Sequence, residues 1–348
     1  MALGYSGFAQ LMDGDVPVTL LVTSCSINPE LNPIISSSAV GLGWKNAADS
    51  SHYSNGVRNY SGSVSFDMQG ATVWDTINKW ALTERVAARK FKHSPDGTRI
   101  YSYGYETGFA GFGASGAETN KYGAWCKGVS FQTGTDSVVG ATVQMLALTR
   151  EETVTGNGYF NNLTGTIGGD CSVFGATNPL NPTNYINTSP IPFWKTNARI
   201  LMGTYGSQTD PDPDAETVSW DVNLENNTQL IKTCNGLSSD NYGVASAVVC
   251  GPMAVSGNIE LYKHSGVWDP VNALTGNPII AYTASFLVTI DAGSGTTLSV
   301  ELPAIRLEGD AYDMNLQGPT NRKFSIKGMG GRCIDSVISA PIIMTTST

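Results

Sequence analysis

Histidine is almost missing from this chain: His52, His93 and His264 are its three among 348 residues. None stands at a metal-ligand spacing with cysteine or glutamate, so no metal centre is expected, and surface or structural roles are the plainer reading. Charge is scarce too. It falls on 14% of residues, and with 39 glycines that excludes a long-helix protein and suits short strands joined by turns. Basic residues are the scarcer sign, 20 against 29 acidic ones, for a net charge of −9. Such a chain does not grip phosphate, which argues against a nucleic-acid-binding module but not against DNA passing close by. The deficit is uneven: residues 1–155 hold 11 basic and 13 acidic side chains, residues 156–348 hold 9 and 16.

Long apolar runs are lacking as well, none reaching the ~18 residues of a membrane span. The opening residues show no basic and apolar regions of a signal peptide, so the expected setting is a cytoplasm-like compartment without membrane contact. There the six cysteines (Cys25, Cys126, Cys171, Cys234, Cys250 and Cys333), scattered and without a CxxC pair, read as free thiols. The glycosylation sequons at Asn162, Asn187 and Asn226 then have no use. No HExxH, P-loop or nucleophile elbow occurs. "GFGASG" (Gly111–Gly116) matches a dinucleotide-binding pattern by letter, but a loop and a strand follow it where a helix is needed. "DPDPDAE" (Asp210–Glu216) spaces its acids as a calcium loop would, yet Ala215 and Asp221 stand where the EF-hand pattern requires Gly and Glu. A flexible glycine loop and a solvated acidic loop, open to an adventitious cation, are the better readings. No cofactor and no enzymatic activity are expected.

What the chain does contain is one phrase written twice. "SGSVSFDMQGATVWDTIN" (Ser61–Asn78) and "SGNIELYKHSGVWDPVN" (Ser256–Asn272) both open Ser-Gly, alternate polar with apolar residues, and end Trp-Asp-x-(Ile or Val)-Asn. The closing motif is Trp74, Asp75 and Asn78 in the first, Trp268, Asp269 and Asn272 in the second. Upstream, "AQLMDG" (Ala9–Gly14) is answered by "RILMG" (Arg199–Gly203), and "TSCSINPELNPII" (Thr23–Ile35) by "VSWDVNLENNTQLI" (Val218–Ile231). Downstream, Cys126–Met145 has a looser partner in Leu302–Gly328. Four landmarks in one order predict a duplicated module: residues 1–155, a Gly/Asn/Pro-rich linker over 156–195, and residues 196–348.

The local pattern is the same in both copies. Val64, Phe66 and Met68 alternate with Ser63, Ser65 and Asp67, and Ile259 and Leu261 alternate with Asn258 and Glu260 in the same phase. Period two with one apolar side predicts a strand buried on one face and wet on the other. Trp74, Ile77 and Ala81 then fall at helical spacing. In the second copy Asp269 supplies an N-cap, Pro270 a first helical residue and Gly276 a stop. Asp13-Gly14, Asp96-Gly97 and "DAGSGT" (Asp291–Thr296) supply turns. The expected fold is mainly β: two tandem β-sandwiches or open barrels of about seven strands, each with one short α-helix. Aromatic residues in the linker, Phe193 and Trp194 among them, suggest that it lies against the domains. Long loops over Asn28–Asn59 and Asn226–Gly251 carry Ile34-Ile35 and Leu230-Ile231 in matching places. Loops of that length are usually functional, and their apolar pairs either seek a partner surface or tuck into their own core.

These residues resemble the tube proteins of long-tailed bacteriophages. The likeness rests on Gly7–Met12, on Leu31–Met68 with Trp44 inside it, on the Trp74 helix, and on the strand pair near Cys126–Met145. The second copy joins it chiefly through its likeness to the first. The resemblance implies a β-sandwich with one helix per domain, one sheet of which joins its neighbours around a ring. The rings stack into a tube, and a long loop between early strands bridges to the adjacent subunit or ring. Family rings usually hold six domains, so a chain with two would close as a homotrimer with pseudo-sixfold symmetry. With ~24 inner strands about 4.8 Å apart and tilted near 40°, the backbone diameter is roughly 45–50 Å, wide enough for duplex DNA.

On this reading Ile34, Ile35, Trp44, Leu230 and Ile231 are candidates for contacts between rings or subunits. Ser63, Ser65, Asp67, Asn258 and Glu260 are candidates for the lumen wall, with outer solvent the alternative. A polar and acidic wall lets DNA slide where a basic one would hold its phosphates. The implied partners are other copies of the chain, a tape-measure protein, a tail terminator, distal tail or baseplate proteins, and double-stranded DNA in transit. The implied location is the phage tail of a virion, assembled in the host cytoplasm. Two readings stand beside it. One is another ring-forming tail component, a terminator or distal adaptor, which shares the fold. The other is a β-rich capsid decoration protein or glycan-binding adhesin, which 14 Tyr and 7 Trp would serve equally well.

Overall fold

The alternating segments are strands, and their pairings are antiparallel. The computed structural model describes residues 8–13, 16–31, 34–35, 53–54, 58–83, 89–94, 118–154, 189–203, 207–231, 247–262, 284–313, 321–329, 333–334, 337–338 and 340–348. The first half holds β1 (Phe8–Asp13), β2 (Val16–Leu31), β3 (Ile34–Ile35), β4 (Tyr53–Ser54), β5 (Arg58–Asp67), α1 (Ala71–Asn78), β6 (Arg89–Ser94), β7 (Glu118–Gly134) and β8 (Gly140–Val154). The second holds β9 (Thr196–Met202), β10 (Glu216–Glu225), β11 (Thr228–Ile231), β12 (Ala247–Cys250), β13 (Ala254–Tyr262), β14 (Ala284–Gly293) and β15 (Thr296–Leu302). It continues through β16 (Ile305–Asp313), β17 (Asn321–Gly328), β18 (Cys333–Ile334), β19 (Val337–Ile338) and β20 (Ile343–Ser347). Trp44, "GFGASG" and the expected second helix with Trp268, Asp269 and Asn272 lie outside the described residues.

In the first half β1 pairs with β2, β2 with β5, β5 with β8, β8 with β7, β7 with β6, and β6 with β1. Six strands therefore close on themselves, where a sandwich or open barrel was expected. β1 does this by spanning the gap between β2 and β6, which removes both edges there. Alternation ends at Met68, and Gly70, with a φ of 137°, turns the chain into α1. The helix and a following π-helical turn (Lys79–Thr83) bury Val73, Trp74, Ile77, Trp80 and Ala81, a spacing of three and four that marks one face. The Trp74 ring lies 4.9 Å from that of Phe131, and Trp80 Nε1 donates to the Ala124 carbonyl at 3.1 Å.

The second half keeps two four-stranded sheets, β10-β13-β17-β16 and β9-β14-β15-β20. Trp220, Val222, Ile259, Phe324 and Ile326 on the first and Ile200, Phe286, Val288, Val300 and Leu302 on the second are all buried in the core. Here β9 takes the place that β1 holds in the sequence repeat, but no ladder between β9 and β10 is found among the described residues. Side chains bridge instead: Thr217 Oγ1 donates to the Ala198 carbonyl at 2.9 Å and Trp220 Nε1 to Thr196 Oγ1 at 3.1 Å. The "DAGSGT" turn joins β14 to β15 with Gly293, Ser294 and Gly295 all at positive φ.

The halves share a sheet. β6 pairs with residues 120–124 of β7, and β10 takes residues 128–134 along the same edge. The result is a continuous run of eight strands, β2-β5-β8-β7-β10-β13-β17-β16. Its two groups of four keep one register. Ile27 faces Gly62 as Val222 faces Gly257, each 195 positions later, and a bulge falls at Thr23 in one and at Val218 in the other. Gly128 faces Gln144 as Gly309 faces Ser325, each 181 positions later, with a bulge at Lys127 and at Glu308. The repeated glycine has a steric reason. A Cβ on Gly62 would fall onto the Ser26 carbonyl, and one on Gly257 would stand 2.6 Å from the Asp221 carbonyl.

The end of the glycine-rich stretch is stitched to the first half. Ile191 N–H donates to the Met68 carbonyl at 3.0 Å, Val139 N–H to the Ile191 carbonyl at 2.8 Å, and Phe193 N–H to the Ser137 carbonyl at 3.0 Å. Trp194 is left 72% exposed, edge-on to Phe193.

Candidate functional site

The eight-stranded run has one face against the cores and an opposite face that is mostly polar from β2 to β17. Alternation puts Ser24, Ser26, Asn28 and Glu30 of β2 on the polar face. Ser63, Ser65 and Asp67 of β5, Thr142 and Gln144 of β8, and Ser130 and Gln132 of β7 follow. Ser219, Asp221 and Asn223 of β10, Asn258 and Glu260 of β13, and Lys323, Ser325 and Lys327 of β17 complete it. The five polar residues predicted from the repeat are thus brought onto one surface, the β5 set and the β13 set separated by the strands between them.

Cross-strand hydrogen bonds hold this face. Asn258 Nδ2 donates to both Asp221 oxygens at 3.1 and 2.9 Å, and within β10 itself Asn223 Nδ2 reaches Asp221 Oδ1 at 2.9 Å. Ser325 Oγ donates to Asn258 Oδ1 at 2.9 Å. Glu260 accepts from Ser219 Oγ at 3.1 Å and from Asn321 Nδ2 at 2.7 Å. In the first half Ser65 Oγ and Thr142 Oγ1 share a bond of 2.9 Å, and Glu30 accepts from Asn59 Nδ2 at 2.6 Å and from Ser61 Oγ. Carboxylates (Glu30, Asp67, Asp221, Glu225, Glu260) outnumber the cationic groups of Arg306, Lys323 and Lys327. Partial burial lifts the Asp67 carboxyl above its ordinary value.

At the seam between the halves Asn226 is fully buried and donates Nδ2 to the Ala81 carbonyl at 2.9 Å and the Cys126 carbonyl at 3.1 Å. Its sequon is closed by that burial. Thr228 Oγ1 also reaches the Cys126 carbonyl at 3.3 Å, which fixes the root of the β11–β12 hairpin. On this hairpin Leu230 is half-buried, while Ile231 and Val249 are 42% and 46% exposed. Ile34 and Ile35 form β3, paired with β4: Ile35 faces Tyr53 as Leu230 faces Val248, again 195 positions on. A second contact between the halves runs from Thr346 Oγ1 of β20 to Asp75 Oδ1 of α1 at 2.6 Å.

The acidic loop is pinned to β9. Arg199 Nε lies 3.0 Å from Asp210 Oδ2 and its Nη1 donates to the Ala215 carbonyl at 2.7 Å. Among the described residues no cluster of three or more His, Cys, Asp or Glu side chains could hold a metal. Cys25, Cys126 and Cys250 are free thiols; burial pushes that of Cys25 up to about 12 and raises that of Cys126 as well. The signal for the polar face was in the sequence alternation. Asn226 and the seam carried no such signal, since a single buried Asn in a loop-like stretch looks like any turn residue.

No protein-family model matches the chain and no curated protein does. Solved structures similar to it include two from virus-like particles or tails. One is a chain of the virion of a native gene transfer agent particle, at 11% identity over 45% of this chain and 100% of that one, with a TM-score of 0.31. The other is the SPP1 tail tube, at 14% identity over 40% of this chain and 77% of that one, with a TM-score of 0.22.

Proposed function

We propose that the chain is a structural, non-enzymatic protein of a phage-like tail. Three copies close into a ring of pseudo-sixfold symmetry, and stacked rings form a tube through which double-stranded DNA passes. One observation carries this reading: two four-strand groups of the same order and register follow each other in one sheet, so each chain supplies two turns of a repeating wall. That repetition supports a duplicated module.

The polar face then lines the channel. Its serines, threonines and asparagines keep the path wet, and its excess of carboxylates withholds the counterion-releasing contacts that would stall a phosphate backbone. The second-half outer sheet and α1 lie on the other side of the wall. The β3–β4 and β11–β12 hairpins make contacts between rings, with Ile34, Ile35, Leu230 and Ile231 as the apolar candidates for them. A tape-measure protein in the lumen and terminator and distal proteins at the tube ends are the remaining partners, and the assembled location is the virion.

Negative-stain electron microscopy of the purified chain tests this. Stacked rings with three chains each are expected, and a solitary globule without annular neighbours overturns the proposal. Rings that never stack favour a terminator or distal adaptor. Changing Ile34, Ile35, Leu230 and Ile231 together to Asp is expected to leave folded protein that no longer makes tubes; normal tubes overturn the hairpin assignment.

A further inference from the structure

Within the chain, the last strand of the first group already pairs with the first strand of the second, β7 with β10. The remaining outer strands of the run are the register counterparts of these two. β10 corresponds to β2, 195 positions earlier, and β7 to β16, 181 positions later. Both are open among the described residues: β16 pairs with β17 alone, and β2 pairs beyond Leu20 with β5 alone. A surface joined head to tail to its own counterpart generates a ring or a filament.

We infer that β16 of one copy pairs with β2 of the next in the register of β7 with β10, setting Gly309–Asp313 against Ser26–Glu30. This rests on the ring reading and specifies its interface. Gly128 faces Glu225, so Gly309 faces Glu30; Ser130 faces Asn223, so Ala311 faces Asn28. Two observations favour it. Gly128 must be glycine, because a Cβ there would stand 2.7 Å from the Leu224 carbonyl on β10. Gly309 has no such reason inside its own chain: a Cβ would meet Ser325 at an ordinary 3.5 Å, and its φ is not left-handed. The missing side chain leaves room for a carbonyl from outside, that of Pro29. Second, Cys25 and Ile27 on the core side of β2 are half-buried, whereas their counterparts Trp220 and Val222 are 2% and 1% exposed. The strand that would complete their burial is the one missing at this edge.

Asn226 N–H donates to the Lys127 carbonyl, so the alternation of an antiparallel ladder makes Leu224–Val129 a hydrogen-bonded pair and Asn223–Ser130 an unbonded one. Between copies, Pro29 opposite Asp310 then lacks one donor, and Asn28 and Ala311 form the closely spaced pair suited to a disulfide. Asn28→Cys with Ala311→Cys is the test, oxidised in the assembled protein and run on a non-reducing denaturing gel. Cross-linked dimers and trimers are expected in the double variant and in neither single variant. Ser130→Cys with Asn223→Cys serves as the intrachain control and yields a cross-linked monomer. Monomers alone, from preparations that show rings by microscopy, overturn this register and leave the ring reading standing; absence of rings in the unmodified protein overturns both. Gly309→Ala supplies an independent readout. It is expected to melt with the unmodified chain yet raise the protein concentration needed for assembly tenfold or more, and unchanged assembly overturns the inference.

Discussion

The same piece of sheet is finished in two different ways in this molecule. In the first half β1 bridges β2 and β6 and the strands close into a barrel, with α1 packed in the core against Phe131; in the second, β9 stays out of the β10 ladder and two sheets face each other. Yet the four strands of the long run agree in order, register and both bulges. The lesson is that the shared wall is specified tightly while its backing is not. A wall strand must present alternate residues to a core and to water, and a slip of one residue would exchange the two faces. The backing has only to bury the apolar side, which a barrel and a second sheet both achieve.

The largest test of that contrast is Trp74→Ala. Emptying the space beside Phe131 is expected to cost about 3–5 kcal/mol in urea unfolding, with the barrel half losing its protection from hydrogen exchange first. Next come the two wall glycines. Gly62→Ala and Gly257→Ala are each expected to cost about 1–3 kcal/mol, Gly62 more because its neighbour carbonyl is nearer. Equal stability of both variants with the unmodified chain would end the argument that the repeat preserves a close strand approach. Asn226→Leu takes its amide donor from the Ala81 carbonyl and leaves the Cys126 carbonyl with Thr228 Oγ1, a loss of about 1–3 kcal/mol at the seam. If the halves unfold as one unit, the variant should split that single transition into two. Thr346→Val removes the β20-to-α1 bond and should cost about 0.5–1 kcal/mol in the same assay.

The smallest effect is one of pH. Burial raises the Asp67 carboxyl above its ordinary 3.8, so the folded chain favours the protonated form. Stability from this group is therefore full below that ordinary value and declines as pH rises through the raised one. Asp67→Asn should melt slightly above the unmodified chain at neutral pH, and the gain should vanish towards about pH 3. A gain that persists in acid would assign the effect to packing instead.

Much of the wall was legible beforehand. Val64, Phe66 and Met68 against Ser63, Ser65 and Asp67 announce β5 and its two faces, and Ile259 and Leu261 do the same for β13. Trp74, Ile77 and Ala81 announce α1, and "DAGSGT" announces the β14–β15 turn. These signals are local: periodicity and turn chemistry act over a few residues and survive in the bare chain. Closure of the barrel was not legible. β1 has the same kind of alternation whether it pairs with one strand or two, and nothing in Phe8–Asp13 distinguishes the cases. The seam was hidden for a related reason. Gly128 reads as a weak point in a strand until the Leu224 carbonyl is found 2.7 Å from where its Cβ would be.

The amino-acid order by itself determined where strands such as β5 and β13 run, which of their faces is wet, and that the pattern occurs twice, because each of these follows from side chains a few positions apart; β3, β4, β11 and β12 lie in stretches that read as loops. Which strand lies beside which was decided only in three dimensions. Backbone N–H and C=O groups are alike along every strand, so partners are chosen by where whole strands come to rest, and that choice set β7 beside β10 and left β2 and β16 at the rims.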